Sequence, residues 1–452
     1  RLSKHHPAID SPLPLTAEDA ALIASEPALE AVDLLLPDMN GILRGKRVAA
    51  RTLETIYRRG VCLPRSLLGD GIRDEATAYA EIGAKAEPDL LCRPVPGSLR
   101  RVPWRERPTA QVLLAMEEPD GAPTAAYPRQ VLRRVVERFH ALGLVPVLAV
   151  ELEFYLLAAE PGPDGRPQVA SNPVTGRSDR ANPAWYMLQE LDDHQRLLED
   201  ILAACHEQRV PAETAISEAA PGQLEINLRH RPDAVAACDD AIYMKRAIKA
   251  VAERHGQVAS FMAKPFADLA GSGLHVHVSL LGEHGRNVFA GPEGSPCEPL
   301  HHAIGGLRAS RDDCTLLFAP HANSYRRIAP GAGAPVHGAW GYNNRAVALR
   351  IPCSAAEDRR IEHRAAGADA NPYLVAAAVL AGILDGLERC LDPGPPVVGD
   401  PQRGPAAARP HWRGALERFE ASEFVVRQFG GDFCRIYGQQ KRSELHCFER
   451  EI

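Results

Sequence analysis

The segment VLAVELEFYLL, residues 147–157, carries the pattern that decides the fold. Side chains of a β-strand alternate between the two faces of a sheet, so the apolar residues at 148, 150, 152, 154 and 156 share one face. Glu151 and Glu153 then share the other face. Two neighbouring carboxylates repel each other, and burying them without a partner is costly. The segment therefore predicts either a solvated strand face or a strand that presents both carboxylates to a cation.

Three further segments combine an apolar face with a polar face that carries chemically active groups: GQLEINLR (222–229), LHVHVSL (274–280) and RRIEHR (359–364). Their polar faces carry Gln223, Glu225, Asn227, His275, His277, Ser279, Arg360, Glu362 and Arg364. Carboxylates with an imidazole suit Mg²⁺ or Mn²⁺, whereas arginines recognise phosphate and carboxylate groups. Four such strands predict a barrel or curved sheet with a polar interior. The combination of divalent metal, phosphate and arginine indicates phosphoryl transfer.

Periodicity along the whole chain predicts an α+β protein. We expect strands at residues 32–36, 43–48, 146–157, 223–229, 274–280, 346–351 and 359–364. We expect helices at residues 52–59, 128–142, 193–208, 234–252 and 373–384. Residues 1–15 lack periodicity and are predicted to form a disordered arm, and residues 392–410 have the composition of a surface loop.

Composition and charge exclude several function classes. The chain of 452 residues is 45% hydrophobic, which is typical of soluble globular proteins, and its formal net charge of −6 provides no basic field for nucleic acid. The longest apolar run, residues 373–384, is shorter than the ~20 residues of a membrane span. Ten cysteines without a CxxC pair predict reduced thiols in the cytoplasm. Neither GxxxxGKS/T nor GxGxxG occurs, so a nucleotide would be held by another scaffold.

Nine motifs, in this order, resemble those of the type I glutamine synthetases. They are PR (128–129), VELEF (150–154), SEAAPGQLEI (217–226), FMAKP (261–265), GSGLHVHVSL (271–280), NSYRR (323–327), NRAVALRIP (344–352), RRIEHR (359–364) and ANPYL (370–374). The resemblance implies a small N-terminal β-grasp domain over residues 16–115. It also implies a catalytic domain over residues 116–452, with a curved antiparallel sheet, or half-barrel, flanked by helices. Such enzymes are dodecamers of two hexameric rings with active sites between subunits.

The resemblance also implies roles for individual residues, with ATP as co-substrate and two or three Mg²⁺ or Mn²⁺ ions per site. Metal ligands are expected at Glu153, Glu218 and Glu225 for the first ion and at Glu151, His275 and Glu362 for the second. ATP contacts are expected at Glu213, His277, Ser279, Arg350 and Arg360. Glutamate contacts are expected at Gly271, Arg327 and Arg364, and catalytic roles at Arg345 and Arg327. Arg345 and Arg350 are an odd number apart, so we expect one of them to lie before the strand.

The implied reaction joins the γ-carboxylate of glutamate to an amine through γ-glutamyl phosphate, and two departures from the family pattern concern that amine. The flap PGAGAP (330–335), with Gly331 and Gly333, has Gly333 where ammonia-using enzymes carry a glutamate. The segment SLLGDG (66–71) replaces the DGSS motif, whose Asp helps to hold ammonium. Both changes favour a larger amine, as in the γ-glutamylpolyamine synthetase branch of polyamine catabolism. Trp185, Tyr186 and Trp340 are candidate contacts for it.

Two alternatives stay open. A substitute carboxylate at Asp70, Asp74 or Glu75 would restore ammonium binding and give an ordinary glutamine synthetase. A non-catalytic nitrogen sensor or structural homologue would have broken metal or phosphate positions, whereas here all six metal-ligand positions are intact.

Overall fold

The computed structural model describes residues 15–69, 89–176, 185–291, 297–329, 334–335, 338–401 and 409–451. Over these ranges the chain is an α+β protein. Its strands are β1 Ala31–Pro37, β2 Leu43–Ala49, β3 Val61–Pro64, β4 Asp89–Pro94, β5 Arg100–Arg101, β6 Thr109–Glu117, β7 Val145–Ala158, β8 Ala212–Ser217, β9 Gln223–Leu228, β10 Gln257–Ser260, β11 Leu274–Leu281, β12 Trp340–Tyr342, β13 Leu349–Ile351 and β14 Ile361–His363. Its α-helices are α1 Ala17–Ser25, α2 Leu53–Arg59, α3 Pro128–Ala141, α4 Leu188–Asp193, α5 Gln195–Glu207, α6 Ala234–Arg254, α7 Glu298–Ser310, α8 Thr315–Phe318, α9 Ser324–Arg327, α10 Pro372–Arg389, α11 Trp412–Ala421, α12 Glu423–Phe429 and α13 Gly431–Glu451. The predicted arm falls almost wholly outside the described residues.

Some predicted elements differ in length from those observed. The helix expected at 193–208 is confirmed as α5, and a separate short helix, α4, precedes it with His194 between them. The strand expected at 359–364 is reduced to β14. The strand expected at 346–351 is reduced to β13, because Asn343 has a left-handed backbone (φ 47°) and the Asn344 Oδ1 atom accepts a hydrogen bond from the Ala346 N–H at 2.9 Å. These two asparagines form a turn, so the residues directly before β13 are not part of the strand. The odd spacing predicts that one of the two arginines lies before the strand, and the structure places Arg345 before β13 and Arg350 within it.

The chain divides into two compact units. The first comprises Arg1–Val131, Glu207–Arg209 and Phe429–Ile452. Its sheet has the order β2-β1-β6-β4-β3, with β5 also paired to β6, and only the β1–β6 pair in it is parallel within the described residues. Helix α13 belongs to this unit, where the buried ammonium of Lys441 donates to the Asn40 side chain and lies 2.9 Å from Glu444. The domain limits predicted from the sequence remain a prediction.

The second unit comprises Leu132–His206 and Val210–Gln428 and contains the larger sheet. Its strand order is β12-β13-β14-β11-β7-β9-β8, with β10 also paired to β7. The expectation of an antiparallel sheet is wrong for one edge, since β12 and β13 run parallel. Residues 343–348 return the chain to the end at which β12 began, so β13 starts beside it in the same direction. The other strand pairs described for this sheet are antiparallel.

The apolar face of β7 forms part of the core of the second unit. Its alternate side chains are almost inaccessible to solvent: Leu148, Val150, Leu152, Phe154 and Leu156. Helix α6 packs on β7, and α10 packs on both α6 and α7. The predicted buried helix at 373–384 is confirmed as part of α10, where the Asn371 side chain caps the first turn. The polar face of the sheet is left for the groups described below.

Helices α7 and α10 cross with their backbones in contact. A Cβ atom on Gly306 would lie 2.0 Å from the Gly382 carbonyl oxygen, and one on Gly386 would lie 2.0 Å from the His302 carbonyl oxygen. Neither backbone has room to yield, so this crossing requires glycine. All ten cysteines are free thiols. Among the described residues, no helix has the length and apolarity that a membrane span requires.

Candidate active site

The antiparallel register places both carboxylates of β7 beside functional residues of its neighbours. On one side, His275 of β11 lies opposite Glu151. On the other side, Glu225 of β9 lies opposite Glu153. Directly opposed residues of an antiparallel pair project from the same face. These four side chains therefore meet on the polar face of the sheet, as the period-two pattern predicts.

Glu362 of β14 completes this group from the other side of β11. It lies opposite His277 and also opposite Arg350 of β13. The Arg350 Nη1 atom donates to Glu362 Oε2 at 2.7 Å, and the Arg364 Nη1 atom donates to Glu362 Oε1. Burial raises the pKa of the Glu362 carboxyl. The opposing effect of Arg364, His277 and His275 is larger, so the pKa falls to about 2. Glu362 is therefore ionised at neutral pH.

Two groups of side chains have the spacing that a metal ion needs, and they share His275. Ligand atoms lie within 4.8 Å of one another in the group Glu151, His275, Glu362 and in the group Glu153, Glu225, His275. The His275 Nδ1 atom lies 3.2 Å from Glu151 Oε2 and 4.0 Å from Glu362 Oε1, and its Nε2 atom lies 3.7 Å from Glu153 Oε1. Carboxylate oxygens with one imidazole fit Mg²⁺ or Mn²⁺. The first group unites the three residues expected at the second metal.

Glu218 faces the same cavity without joining the close group around Glu153. Burial and the charge of Glu153 raise the pKa of Glu218 to about 8. Burial, together with Glu151 and Glu153, also raises the pKa of Glu225. The pKa of Glu151, by contrast, is lowered against its burial by His277 and His275. Three acidic groups at the Glu153 end are thus too close for all to be ionised without a cation.

A hydrogen bond from Arg360 determines which ring nitrogen of His277 carries the proton. Arg360 donates from Nε to His277 Nδ1 at 3.1 Å, so the Nδ1 atom carries a lone pair and the ring proton lies on Nε2. That Nε2 atom lies 2.7 Å from Glu151 Oε1. His277 therefore connects Arg360, on the nucleotide side of the predicted site, to Glu151 of the metal group.

Two cavities meet at this cluster. The smaller, about 460 Å³, contains all six expected metal ligands and, around them, Gly271, Arg327, Arg345, Arg350 and Arg364. The larger, about 700 Å³, is lined by Glu213, His277, Ser279 and Arg360, which are four of the five expected ATP contacts. The fifth, Arg350, lines only the smaller cavity among these two. Glu151, Asn227, His277, Cys353 and Arg360 line both cavities.

Arg327 is threaded between two glycines beneath the smaller cavity. A Cβ atom on Gly271 would lie 2.8 Å from Arg327 Cγ, and one on Gly273 would lie 2.7 Å from Arg327 Nη2. The guanidinium donates to the carbonyl oxygens of Ala365 at 3.0 Å and Arg364 at 3.3 Å. Burial lowers the pKa of Arg327. The glycines of the GSG pattern thus leave space for the Arg327 side chain, which any larger residue at 271 or 273 would occupy.

Aromatic side chains form one wall of the smaller cavity. Trp185 and Tyr186 contact each other edge to face and stay 56% and 54% exposed. The Tyr186 hydroxyl accepts a hydrogen bond from Arg345 Nη2 at 3.4 Å. The expected contribution of Trp340 is wrong, because its indole is buried against His301, donates to a backbone carbonyl and lies outside this cavity.

Some predicted site residues lie outside the described residues. One residue that lines the site, in turn, was not predicted. Gly331 and Gly333 of the flap, and Asp70, Asp74 and Glu75, belong to the first kind. Cys353 was missed although it directly follows the LRIP strand end, where a residue can face both cavities.

The chain is similar to known proteins over most of its length. Residues 125–452 match the family described as glutamine synthetase, catalytic domain. The chain is 40% identical to gamma-glutamylputrescine synthetase PuuA of Escherichia coli (strain K12), over 97% of this chain and 93% of the relative. It is 34% identical to a glutamate–isopropylamine ligase of Pseudomonas sp over 92% of each. A solved GmaS/ADP complex aligns with a TM-score of 0.82 at 29% identity, covering 96% of this chain and 97% of that one.

The raised pKa of Glu218 predicts a pH-dependent stability of the metal-free protein. The folded chain holds a proton up to about pH 8 that the unfolded chain releases near 4.5, so the stability due to Glu218 is complete below the lower value and is lost as pH rises to the upper one. In EDTA, the unfolding free energy of the wild type relative to Glu218→Gln should fall with pH by at most about 1.4 kcal/mol per unit. Denaturant titrations between these pH values measure it. A constant or rising difference would contradict the electrostatic account.

Proposed function

This chain belongs to the glutamine synthetase family and is an ATP-dependent glutamate–amine ligase, and we propose that its amine is a polyamine or another primary amine rather than ammonia. In this reaction the γ-carboxylate of glutamate attacks the γ-phosphorus of ATP and ADP leaves. The amine then displaces phosphate from γ-glutamyl phosphate and forms the amide. Five glutamates, His275 and five arginines line the smaller cavity and support this reaction. The observation that carries the choice of amine is the exposed aromatic pair Trp185 and Tyr186 in the wall of that cavity.

Metal ions would be held on the polar face of the sheet. The proposed ligands are Glu153, Glu218 and Glu225 for one Mg²⁺ or Mn²⁺ ion and Glu151, His275 and Glu362 for another, with two or three ions per site. Bound divalent cations would neutralise the negative charge of the carboxylates and of the ATP phosphates. Burial and the neighbouring glutamates raise the pKa of Glu218 and Glu225, and this supports the assignment because a bound cation would offset both effects.

ATP is assigned to the larger cavity. Glu213, Ser279 and Arg360 line it, and His277 lies where it meets the smaller one. The phosphates would enter through this junction and reach Arg350, which lines only the smaller of the two cavities. Planar guanidinium groups suit phosphate oxygens because they donate two parallel hydrogen bonds.

Glutamate is assigned to the smaller cavity, beside Gly271, Arg327 and Arg364. Arg345 is placed to stabilise the phosphoryl group during transfer. Its guanidinium is hydrogen-bonded to the neutral hydroxyl of Tyr186, which leaves its positive charge available for negative charge that develops in the reaction.

The amine is assigned to the aromatic wall. Trp185 and Tyr186 offer apolar surface and π faces, which suit the aliphatic chain and the cationic end of a polyamine. Gly333 at the flap position of the ammonium-binding glutamate supports the same choice. The names of two relatives, which refer to putrescine and isopropylamine, agree with a substituted amine. The ammonia-using alternative requires a carboxylate from Asp70, Asp74 or Glu75, and the non-catalytic alternative is disfavoured by the intact metal cluster.

The family also suggests how the protein is organised and used. We propose a β-grasp domain over residues 16–115, supported by a sheet that combines a parallel β1–β6 pair with antiparallel neighbours. We further propose a dodecamer of two hexameric rings that acts in polyamine catabolism in the cytoplasm. The half-barrel shape expected for the catalytic sheet belongs to the same proposal.

A panel of amines tests the substrate assignment. ADP release is measured with glutamate, Mg²⁺, ATP and one of putrescine, spermidine, isopropylamine or ammonia, with a control that omits glutamate. We expect kcat/KM to be at least about tenfold higher for one of the organic amines than for ammonia, because the aromatic wall contacts only the former. Strong turnover with ammonia and none with any polyamine would contradict the proposal. No ADP release with any amine would favour a non-catalytic homologue.

Replacing Glu362 tests the metal assignment. Glu362→Ala should abolish ADP release, because it removes a ligand of the second metal and leaves Arg350 and Arg364 without their shared partner. Glu253→Ala, an exposed glutamate on α6, is the matched control and should behave like the wild type. Activity of Glu362→Ala near that of the wild type would refute the assignment.

A further inference from the structure

Two segments beside the site are joined by two hydrogen bonds, and a third ties one of them to Glu190 of α4. We call residues 185–188 the aromatic segment and residues 217–223 the acidic turn. The Tyr186 N–H donates to the Ser217 carbonyl oxygen at 2.9 Å, and the Ser217 hydroxyl donates to the Met187 carbonyl oxygen at 3.0 Å. The third bond runs from the Gly222 N–H to Glu190 Oε1 at 3.0 Å. The first two bonds belong to residues at one end of the acidic turn, whereas Glu190 holds its other end.

Glu190 is built into the structure as an ionised acceptor. Its Oε1 atom also lies 3.5 Å from Nε2 of His194, whose side chain is almost fully buried. The hydrogen bond with His194 lowers the pKa of Glu190 against its partial burial, and the Gly222 N–H lowers it further. The Gly222 carbonyl oxygen accepts from the Leu156 N–H at 2.8 Å, so Gly222 is fixed on one side by β7 and on the other by Glu190.

The conformation of Gly222 explains why such a restraint acts at this position. Its φ of 68° is left-handed, and a Cβ atom there would lie 2.9 Å from Val169 Cγ1. A flexible residue in a tight turn loses much conformational entropy when it is ordered. A charge-assisted hydrogen bond that its N–H donates to a half-buried carboxylate is among the stronger ways to order it.

The acidic turn needs this restraint because of what it carries. Glu218 lies near its start, and its N–H donates to the Gln223 carbonyl oxygen at 2.9 Å. Glu225 follows the turn directly in β9. Glu153, Glu218 and Glu225 line the same cavity. A turn that is free to move would not hold the Glu218 carboxylate at a fixed distance from the other two.

We propose that Glu190 is a positioning residue that holds the acidic turn and the aromatic segment as one body, and so places both the metal ligand Glu218 and the amine-binding wall. The amine half of this inference rests on the proposed function. Glu190 itself lines neither of the two cavities. Residues of this kind, behind the metal ligands, alter metal affinity because they orient the ligands.

The test compares variants of the full-length chain. Calorimetric titration with Mn²⁺ alone should show about tenfold weaker binding for Glu190→Ala than for the wild type. The KM for putrescine should rise by a similar factor. The KM for ATP should stay within about twofold, because neither Glu190 nor Gly222 lines the larger cavity. Glu190→Gln keeps an acceptor oxygen and should restore most of both losses. Gln189→Ala, on the same helix and bonded to Asp193, is the matched control and should change neither.

The outcomes separate the two proposals. Wild-type Mn²⁺ affinity in Glu190→Ala would overturn the positioning role. So would an equal rise in the KM values for putrescine and ATP with a lowered Tm, since that pattern reports general loss of structure. The Mn²⁺ titration needs no turnover. Absence of putrescine-dependent ADP release by the wild type would therefore count against the proposed amine alone, and it would leave the Mn²⁺ result to decide the role of Glu190.

Discussion

The register of β7 with its two neighbours is the constraint on which the site depends. It sets His275 opposite Glu151 and Glu225 opposite Glu153, although the second pair brings like charges together. A slip of one residue would turn these side chains into the core. The alternate apolar residues, such as Leu152, prevent the slip because they are fully buried on the other face. Hydrophobic packing on one face thus holds in place the acidic groups that repel each other on the opposite face.

The carboxylates on the polar face have lowered pKa values at one side of the sheet and raised pKa values at the other. At the β14 side, Arg364, His277 and His275 lower the pKa of Glu362, and His277 and His275 lower the pKa of Glu151. At the β9 side, burial and neighbouring glutamates raise the pKa values of Glu218 and Glu225. Guanidinium and imidazole groups thus offset the carboxylates on one side, whereas on the other side the carboxylates mainly face each other. The restraint supplied by Glu190 acts on the side where repulsion is greatest.

The sequence predicts those parts of the site that follow from local periodicity. Alternation along β7 correctly places Glu151 and Glu153 on one face. The odd spacing correctly predicts that one of Arg345 and Arg350 lies outside the strand, but only the structure shows that it is Arg345. Trp340 was assigned wrongly, since an aromatic residue near a site has the same sequence signature whether it lines a cavity or packs in the core. Glu190 was missed because its partner is a backbone N–H 32 residues away, and such a contact leaves no pattern of spacing. The parallel β12–β13 pair was missed for a similar reason, as the turn at 343–348 sets it.

The register of the sheet brings together two groups of side chains that share His275 and have the spacing of metal ligands, and we propose that each holds a divalent ion. Anomalous diffraction from crystals soaked with Mn²⁺ locates the ions without reference to activity. The account predicts one Mn²⁺ peak among Glu151, His275 and Glu362 and a second beside Glu153, Glu225 and Glu218. Absence of both peaks at saturating Mn²⁺, or peaks coordinated by other residues, would contradict it.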